Sequence, residues 1–213
     1  MPKDPYKLNR DTYNSLAEQY QKKFMDWDGY HKTYDAFLTA LSSEQTEVLE
    51  VGCGPGNVTR YLLQKRPELN IHGIDVAPNM IALAKQNNAQ ASFEVMDCRA
   101  INSFQRKFDA IMCGFCIPYI NKEDSLQLIK HASSLLNPNG IFYLSTMEDA
   151  YIKSGPKGSS NHDLEVYIYY HEGQYLKDSI SINGLELIHE IRQDYPEEDG
   201  SNTTDLFLTA RKK

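Results

Sequence analysis

Between residues 48 and 147, short apolar runs alternate with stretches whose apolar positions recur every three or four residues. Val48-Leu49-Glu50-Val51, Ile71-His72-Gly73-Ile74 and the segments 92–96, 108–113 and 140–147 read as strands. Nearly continuous apolar character is what strands covered on both faces of a parallel sheet show. Helices are expected between them over 58–65, 78–87 and 122–136. The second opens on Pro78, and the third is closed by the turn Asn137-Pro138-Asn139-Gly140. Ahead of this block, Tyr13, Leu16, Ala17, Tyr20 and Phe24 predict a helix over 11–25, capped by Asp11. A second helix is expected over 30–41. Strands alternating with helices mean βαβ units, so the expected class is α/β, a three-layer, Rossmann-like, doubly wound sheet.

After Met147 the rhythm breaks. Residues 153–162 are rich in Gly, Ser and Pro and read as a loop, 166–170 are apolar and aromatic, and 173–182 suggest a helix stopped at Asn183-Gly184. The strand-like runs 185–195 and 206–210 are joined by a short polar loop, 197–204, which suits an antiparallel pair and not a crossover. No internal repeat or domain boundary interrupts the pattern, so residues 1–213 are expected to form a single domain.

Charge narrows the partners. The chain has 22 Lys and Arg against 29 Asp and Glu, a net charge of −7, which disfavours binding that depends on neutralising phosphates. No apolar run approaches the ~20 residues of a membrane span. The opening Met-Pro-Lys-Asp-Pro-Tyr-Lys lacks the apolar core of a signal peptide. A cytoplasmic location is therefore expected, with Cys53, Cys98, Cys113 and Cys116 as reduced thiols. Cys113-x-x-Cys116 has no second ligand pair to complete a zinc site, and His162, Asp163, Glu165 and His171 read as scattered polar side chains, so no metal is expected.

The candidate chemistry follows the first two strands. Gly52-Cys53-Gly54-Pro55-Gly56-Asn57 joins a strand to a helix, where glycines permit close backbone approach and the helix start offers unpaired N–H groups. Asp75 ends the next strand, 21 positions after Gly54, the separation at which a carboxylate meets ribose hydroxyls. The pair points to a nucleoside-containing ligand. Asn57 stands where the dinucleotide fingerprint G-x-G-x-x-G has its third glycine.

The run Val48-Leu49-Glu50-Val51-Gly52-Cys53-Gly54-Pro55-Gly56 resembles motif I of the class I S-adenosylmethionine-dependent methyltransferases. Gly73-Ile74-Asp75-Val76-Ala77-Pro78-Asn79-Met80, Phe93-Glu94-Val95-Met96-Asp97 and Phe108-Asp109-Ala110-Ile111-Met112-Cys113 are similar to its following segments. Leu135-Leu136-Asn137-Pro138-Asn139-Gly140 matches the turn before strand five, except that a glycine is usual where Asn139 stands. Tyr13-Asn14-x-x-Ala17-x-x-Tyr20 looks like the helix that folds over the cofactor. The resemblance implies seven strands with the last antiparallel, residues 1–42 as a helical cap and 148–172 as a substrate-side insertion. It implies S-adenosylmethionine as cofactor, with Asp75 on the ribose, Met80 against the adenine, and Asp97 and Cys98 at the adenine amino group. Glu50, Gly52, Gly54, Tyr20 and Cys113 would lie along the rest of the cofactor.

Methyl transfer from a sulfonium needs alignment and exclusion of water, and a base only if the acceptor must lose a proton. The acceptor pocket is expected beyond strands four and five, with Tyr119 and His171 as catalytic candidates and Trp27, Tyr30, His31, Tyr169 and Tyr170 nearby. Ile117-Pro118-Tyr119 lacks the Asn or Asp that nucleobase and amide N-methylating members place before Pro-Pro-Tyr, which leaves a small-molecule acceptor. The alternatives are an NAD(P)-dependent reductase and a non-catalytic S-adenosylmethionine-binding regulator.

Overall fold

The computed structural model describes residues 4–158, 164–196, 200 and 202–213. The chain opens with three helices, α1 (Pro5–Ser15), α2 (Ala17–Phe24) and α3 (His31–Ala40). It then alternates β1 (Glu47–Val51), α4 (Asn57–Lys65), β2 (Asn70–Asp75), α5 (Pro78–Asn87), β3 (Ser92–Val95), β4 (Phe108–Cys113), α6 (Lys122–Leu135) and β5 (Leu136–Glu148). A ribbon of β6 (Gly155–Gly158) and β7 (Glu165–Ile168) precedes α7 (Gly173–Ile182), β8 (Leu185–Pro196) and β9 (Asn202–Lys212).

Seven strands form one sheet in the order β3-β2-β1-β4-β5-β9-β8. The first five run parallel, and β9 is antiparallel to both β5 and β8, as expected. Alternate residues of the central strands serve opposite faces. Leu49, Ile111 and Phe142 pack with Leu128, Ile129 and Ala132 of α6 and Leu176 of α7. Val48, Ala110 and Tyr143 pack with Phe37 of α3 and Leu62 of α4. Both faces are covered, which is why these strands carry so few polar residues. Among the described residues, no helix is long and apolar enough to cross a membrane.

Three local expectations are corrected. The helix expected over 11–25 is two helices broken at Leu16, whose φ of −94° and ψ of 8° leave the helical region. It starts at Pro5, with the Asp4 carboxylate, not Asp11, accepting the Tyr6 N–H at 3.1 Å. Apolar periodicity is silent over α1 because the helix buries the polar residues Asn9 and Thr12. The reason lies in β7. Asn9 Nδ2 donates to the Tyr167 carbonyl at 2.9 Å, Asn9 Oδ1 accepts the Tyr167 N–H at 2.7 Å, and Thr12 donates to the Glu165 carbonyl at 2.7 Å. Those polar side chains satisfy an edge strand that has only β6 on its other side.

The loop expected over 153–162 contains β6, paired antiparallel with β7 from Gly155↔Ile168 to Gly158↔Glu165. Strand β5 begins at Leu136, earlier than expected, with a register irregularity opposite Asp109. Asn139 adopts φ of +62°, which accounts for the preference for glycine at that place and for the tolerance of Asn, the side chain best suited to it after glycine.

Candidate active site

The carboxyl ends of the parallel strands, with their following loops, frame two adjoining cavities. Three glycines of the β1–α4 loop have positive φ, +72° at Gly52, +53° at Gly54 and +80° at Gly56. At Gly52 a Cβ would stand 2.9 Å from Cys116 Cβ, so the loop and the segment after β4 approach as closely as a missing side chain allows. The Gly52 and Cys53 N–H groups both donate to the Ile74 carbonyl, at 2.8 and 2.9 Å. Asn87 and Asn88, at the end of α5, donate to the Pro55 and Gly56 carbonyls at 2.8 and 3.0 Å. The loop is thus braced from β2 and from α5.

Asp75 belongs to the same brace. Its Oδ2 accepts the Gly54 N–H at 3.0 Å and its Oδ1 accepts the Ala77 N–H at 2.8 Å. Burial raises its carboxyl group above the ordinary value, and the backbone N–H groups of Ala77, Gly54 and Val76 oppose the shift. Each oxygen keeps a lone pair for a ligand.

The smaller cavity, about 130 Å³, lies over Asp75 and is walled by Gly52, Gly54, Met80, Asp97, Cys98 and Cys116. Tyr6, Asn9 and Tyr13 of α1 close it from above. Asp97 is heavily engaged: it accepts the Arg99 N–H at 2.9 Å and holds the Arg99 side chain at 2.6 Å. Burial works to raise its carboxyl group, but the Arg99 hydrogen bonds outweigh that and hold it below the usual range.

The larger cavity, about 820 Å³, shares Tyr13, Tyr20, Gly52, Gly54, Gly114, Phe115 and Tyr119 with the smaller one. An arc of rings lines it. Tyr20 meets Phe24 at 4.6 Å between centroids, Phe24 meets Trp27 at 6.0 Å, Trp27 meets Tyr30 edge-on at 4.4 Å, and Tyr30 stacks on Phe115 at 5.0 Å. Phe115 takes φ of +50°, and its N–H donates to Ser145 Oγ at 3.0 Å. Strained backbone held from a neighbouring strand is a mark of functional loops.

Two buried carboxylates line the larger cavity. Glu50, 2% exposed, accepts the Thr59 hydroxyl, and burial pushes its carboxyl group up to about 8. Asp205, on β9, accepts the Tyr30 hydroxyl at 2.5 Å. At the wall between the cavities the Tyr13 hydroxyl donates to the Tyr119 hydroxyl, and burial pushes Tyr119 up to about 12. At neutral pH Tyr119 is a phenol, able to donate and orient but not to remove a proton.

Of the residues singled out in the sequence, Tyr20, Glu50, Gly52, Gly54, Asp75, Met80, Asp97, Cys98 and Tyr119 line these cavities, and two do not. Cys113 is fully buried in the core under α6, and Gly114 takes its place on the wall. His171 is fully buried behind the site, its Nε2 on the Ile117 carbonyl at 2.8 Å and its Nδ1 on the Tyr175 hydroxyl. Burial drives its ring down to about 4, so it is neutral and a packing element. Trp27, Tyr30, His31 and Tyr170 line the larger cavity, whereas Tyr169 is buried away from it. Tyr6, Asn9, Phe115, Tyr195 and Asp205 were missed, because they come from distant segments and share no spacing.

All four cysteines are free. Cys116 hydrogen-bonds to both Cys98 and Cys113; the Cys116 contact and burial push the Cys98 thiol well up, and the Cys113 contact and burial do the same to Cys116 against an opposing effect of Cys98, the opposite of a reactive pair. Among the described residues, no group of three or more His, Cys, Asp or Glu could hold a metal ion, while His162 and Asp163 lie outside the described residues.

Comparison with known proteins agrees with this geometry. Residues 48–140 match the methyltransferase domain family. Trans-aconitate 2-methyltransferase of Escherichia coli is 37% identical over 105 residues, covering 49% of this chain and 40% of that protein. The chain thus spans about 40% of the length of the curated relatives it matches. Magnesium protoporphyrin IX methyltransferase from Synechocystis, solved with bound S-adenosylmethionine, superposes with a TM-score of 0.72 at 18% identity, over 99% of this chain and 98% of that one. TehB from Haemophilus influenzae superposes with a TM-score of 0.69 at 20% identity, over 92% of this chain and 67% of that one. With its glycine loop, the acid closing β2 and the antiparallel final strand, the chain has the fold of the class I S-adenosylmethionine-dependent methyltransferases, and its residues 48–140 match their methyltransferase domain.

Proposed function

We propose that the protein transfers a methyl group from S-adenosylmethionine to a small-molecule acceptor in the cytoplasm. The observation that carries this reading is the Asp75 carboxylate, fixed on Gly54 and Ala77 at the floor of a cavity that opens into a second, larger one. The residues fit the cofactor. Asp75 offers two acceptor oxygens for vicinal hydroxyls, and Met80 and Met96 give the smaller cavity an apolar wall for a flat base. Gly52 and Gly54 leave the backbone bare and would hold the cofactor between Asp75 and the wall of Glu50 and Tyr20. Asp97 would meet the adenine amino group only after its Arg99 side-chain contacts shift.

When bound, the cofactor supplies a methyl group already activated on a positive sulfur. The protein has then to align an acceptor and exclude water. Helices α1 to α3 and the β6–β7 ribbon roof the larger cavity, and Tyr119 stands where the two cavities meet, its hydroxyl set by Tyr13. In this reading Tyr119 orients the acceptor. His171 takes no part.

Calorimetric titration with S-adenosylhomocysteine, with NAD as the control, tests the proposal. Saturable binding of the first and none of the second is expected. Binding of NAD alone would make the sheet a reductase's, and binding of neither would leave a partner or regulator.

A further inference from the structure

The larger cavity joins many aromatic faces to buried acid. Rings of Tyr20, Phe24, Trp27, Tyr30 and Phe115 run in unbroken contact around it, and Glu50 and Asp205, each 2% exposed, are the buried carboxyl groups of its wall. Among its described lining residues no Lys or Arg is buried. Its cations stand at the rim and already have partners. Arg60 pairs with Asp26 at 3.3 Å, Lys23 lies 5.2 Å over the Phe24 ring, and Lys157 lies 5.9 Å over the Tyr170 ring. A carboxylate ligand would therefore enter a space with the Asp205 carboxylate in its wall and no buried counter-charge. An ammonium would meet negative ring faces backed by the Asp205 carboxylate, an arrangement that attracts cations most strongly when water is excluded.

We propose that the acceptor taken by this cavity is an organic amine, held as its ammonium by the aromatic arc, with Asp205 supplying the opposing charge. The proposal rests on the larger cavity being the acceptor side of a methyl-transfer site. An ammonium nitrogen has no free electron pair, so the acceptor must first pass one proton to a cavity carboxylate. Its lone pair then forms the nitrogen–carbon bond as the carbon–sulfur bond breaks, and that pair returns to sulfur. The acceptor gains a methyl group, and one proton leaves through the carboxylate.

Trp27 is the chain's only tryptophan and sits in the arc, so its emission reports occupancy without turnover. Benzyltrimethylammonium, titrated into the full chain, should change that emission saturably. The similarly shaped anion phenylmethanesulfonate should bind about tenfold more weakly or worse. Asp205→Asn should weaken the cation by about fivefold or more. Phe24→Leu keeps an apolar side chain but removes a ring face, and should weaken the cation while leaving the circular dichroism unchanged. It decides the matter if Asp205→Asn fails to fold. Equal or tighter binding of the anion overturns the proposal. So does absence of cation binding in a protein that binds S-adenosylhomocysteine, which leaves methyl transfer standing. Cation binding without S-adenosylhomocysteine binding supports the ammonium site and removes the methyltransferase reading.

Discussion

Asp75 accepts the Gly54 N–H at 3.0 Å, tying the end of β2 to the glycine loop that follows β1. The carboxylate proposed to hold the ribose is thus also a strut of the loop. Its second oxygen accepts the Ala77 N–H, so both oxygens face donors. Asp75→Asn would aim an amide NH₂ at one of these N–H groups whichever way it turned. We expect a loss of S-adenosylhomocysteine affinity of about 1–3 kcal/mol, roughly 5- to 150-fold, together with lower thermal stability. Asp97→Asn should cost less affinity, because Arg99 already occupies that carboxylate. Calorimetry on the two variants gives the order.

Glu50 sets a pH dependence of stability. Its carboxyl group rises from 4.5 to about 8 on folding, chiefly through burial. Below pH 4.5 both states are protonated and nothing is lost. Between 4.5 and about 8 the unfolded chain gains by ionising while the folded one does not, so stability falls by up to about 1.4 kcal/mol per pH unit. Glu50→Gln should raise the melting temperature at pH 8 relative to the parent and leave it nearly equal at pH 4.5. Thermal melts across that interval decide it, and an equal gain at both ends would contradict it.

His171 separates packing from catalysis. His171→Leu leaves the Ile117 carbonyl and the Tyr175 hydroxyl without their partner in a dry interior. A loss of about 2–4 kcal/mol in denaturant unfolding is expected, with S-adenosylhomocysteine affinity unchanged. The ring's fall to about 4 has the opposite sign to Glu50, since stability from the neutral His171 is present above pH 6.5 and lost as pH falls toward 4. The Leu variant should lack this acid limb.

Gly52→Ala tests the glycine loop itself. The new Cβ would meet Cys116 Cβ at 2.9 Å with the backbone at φ of +72°. The left-handed conformation alone costs about 1–2 kcal/mol. Loss of cofactor-analogue binding should accompany lower stability, and Gly52→Ala combined with Cys116→Gly should recover part of both.

The central sheet was legible in the sequence because its information is local. Strands buried on both faces read as apolar runs, Gly52, Gly54 and Gly56 mark backbone with positive φ, and Asp75 follows at a separation set by one βαβ unit. Each is a property of residues close in the chain. Helix α1 was invisible to periodicity because its buried face, Asn9 and Thr12, is polar, and it is polar because β7 lies against it. His171 and Tyr119 looked alike as candidates. Tertiary packing put one in the core and the other on the wall between two cavities. The aromatic arc is backed by Asp205, which meets Tyr30 from 175 positions away, and no spacing rule encodes such contacts. The sequence alone determined the sheet, the glycine loop and its acid, whereas only the folded chain decided which side chains surround the larger cavity, because those contacts form between segments brought together by the sheet.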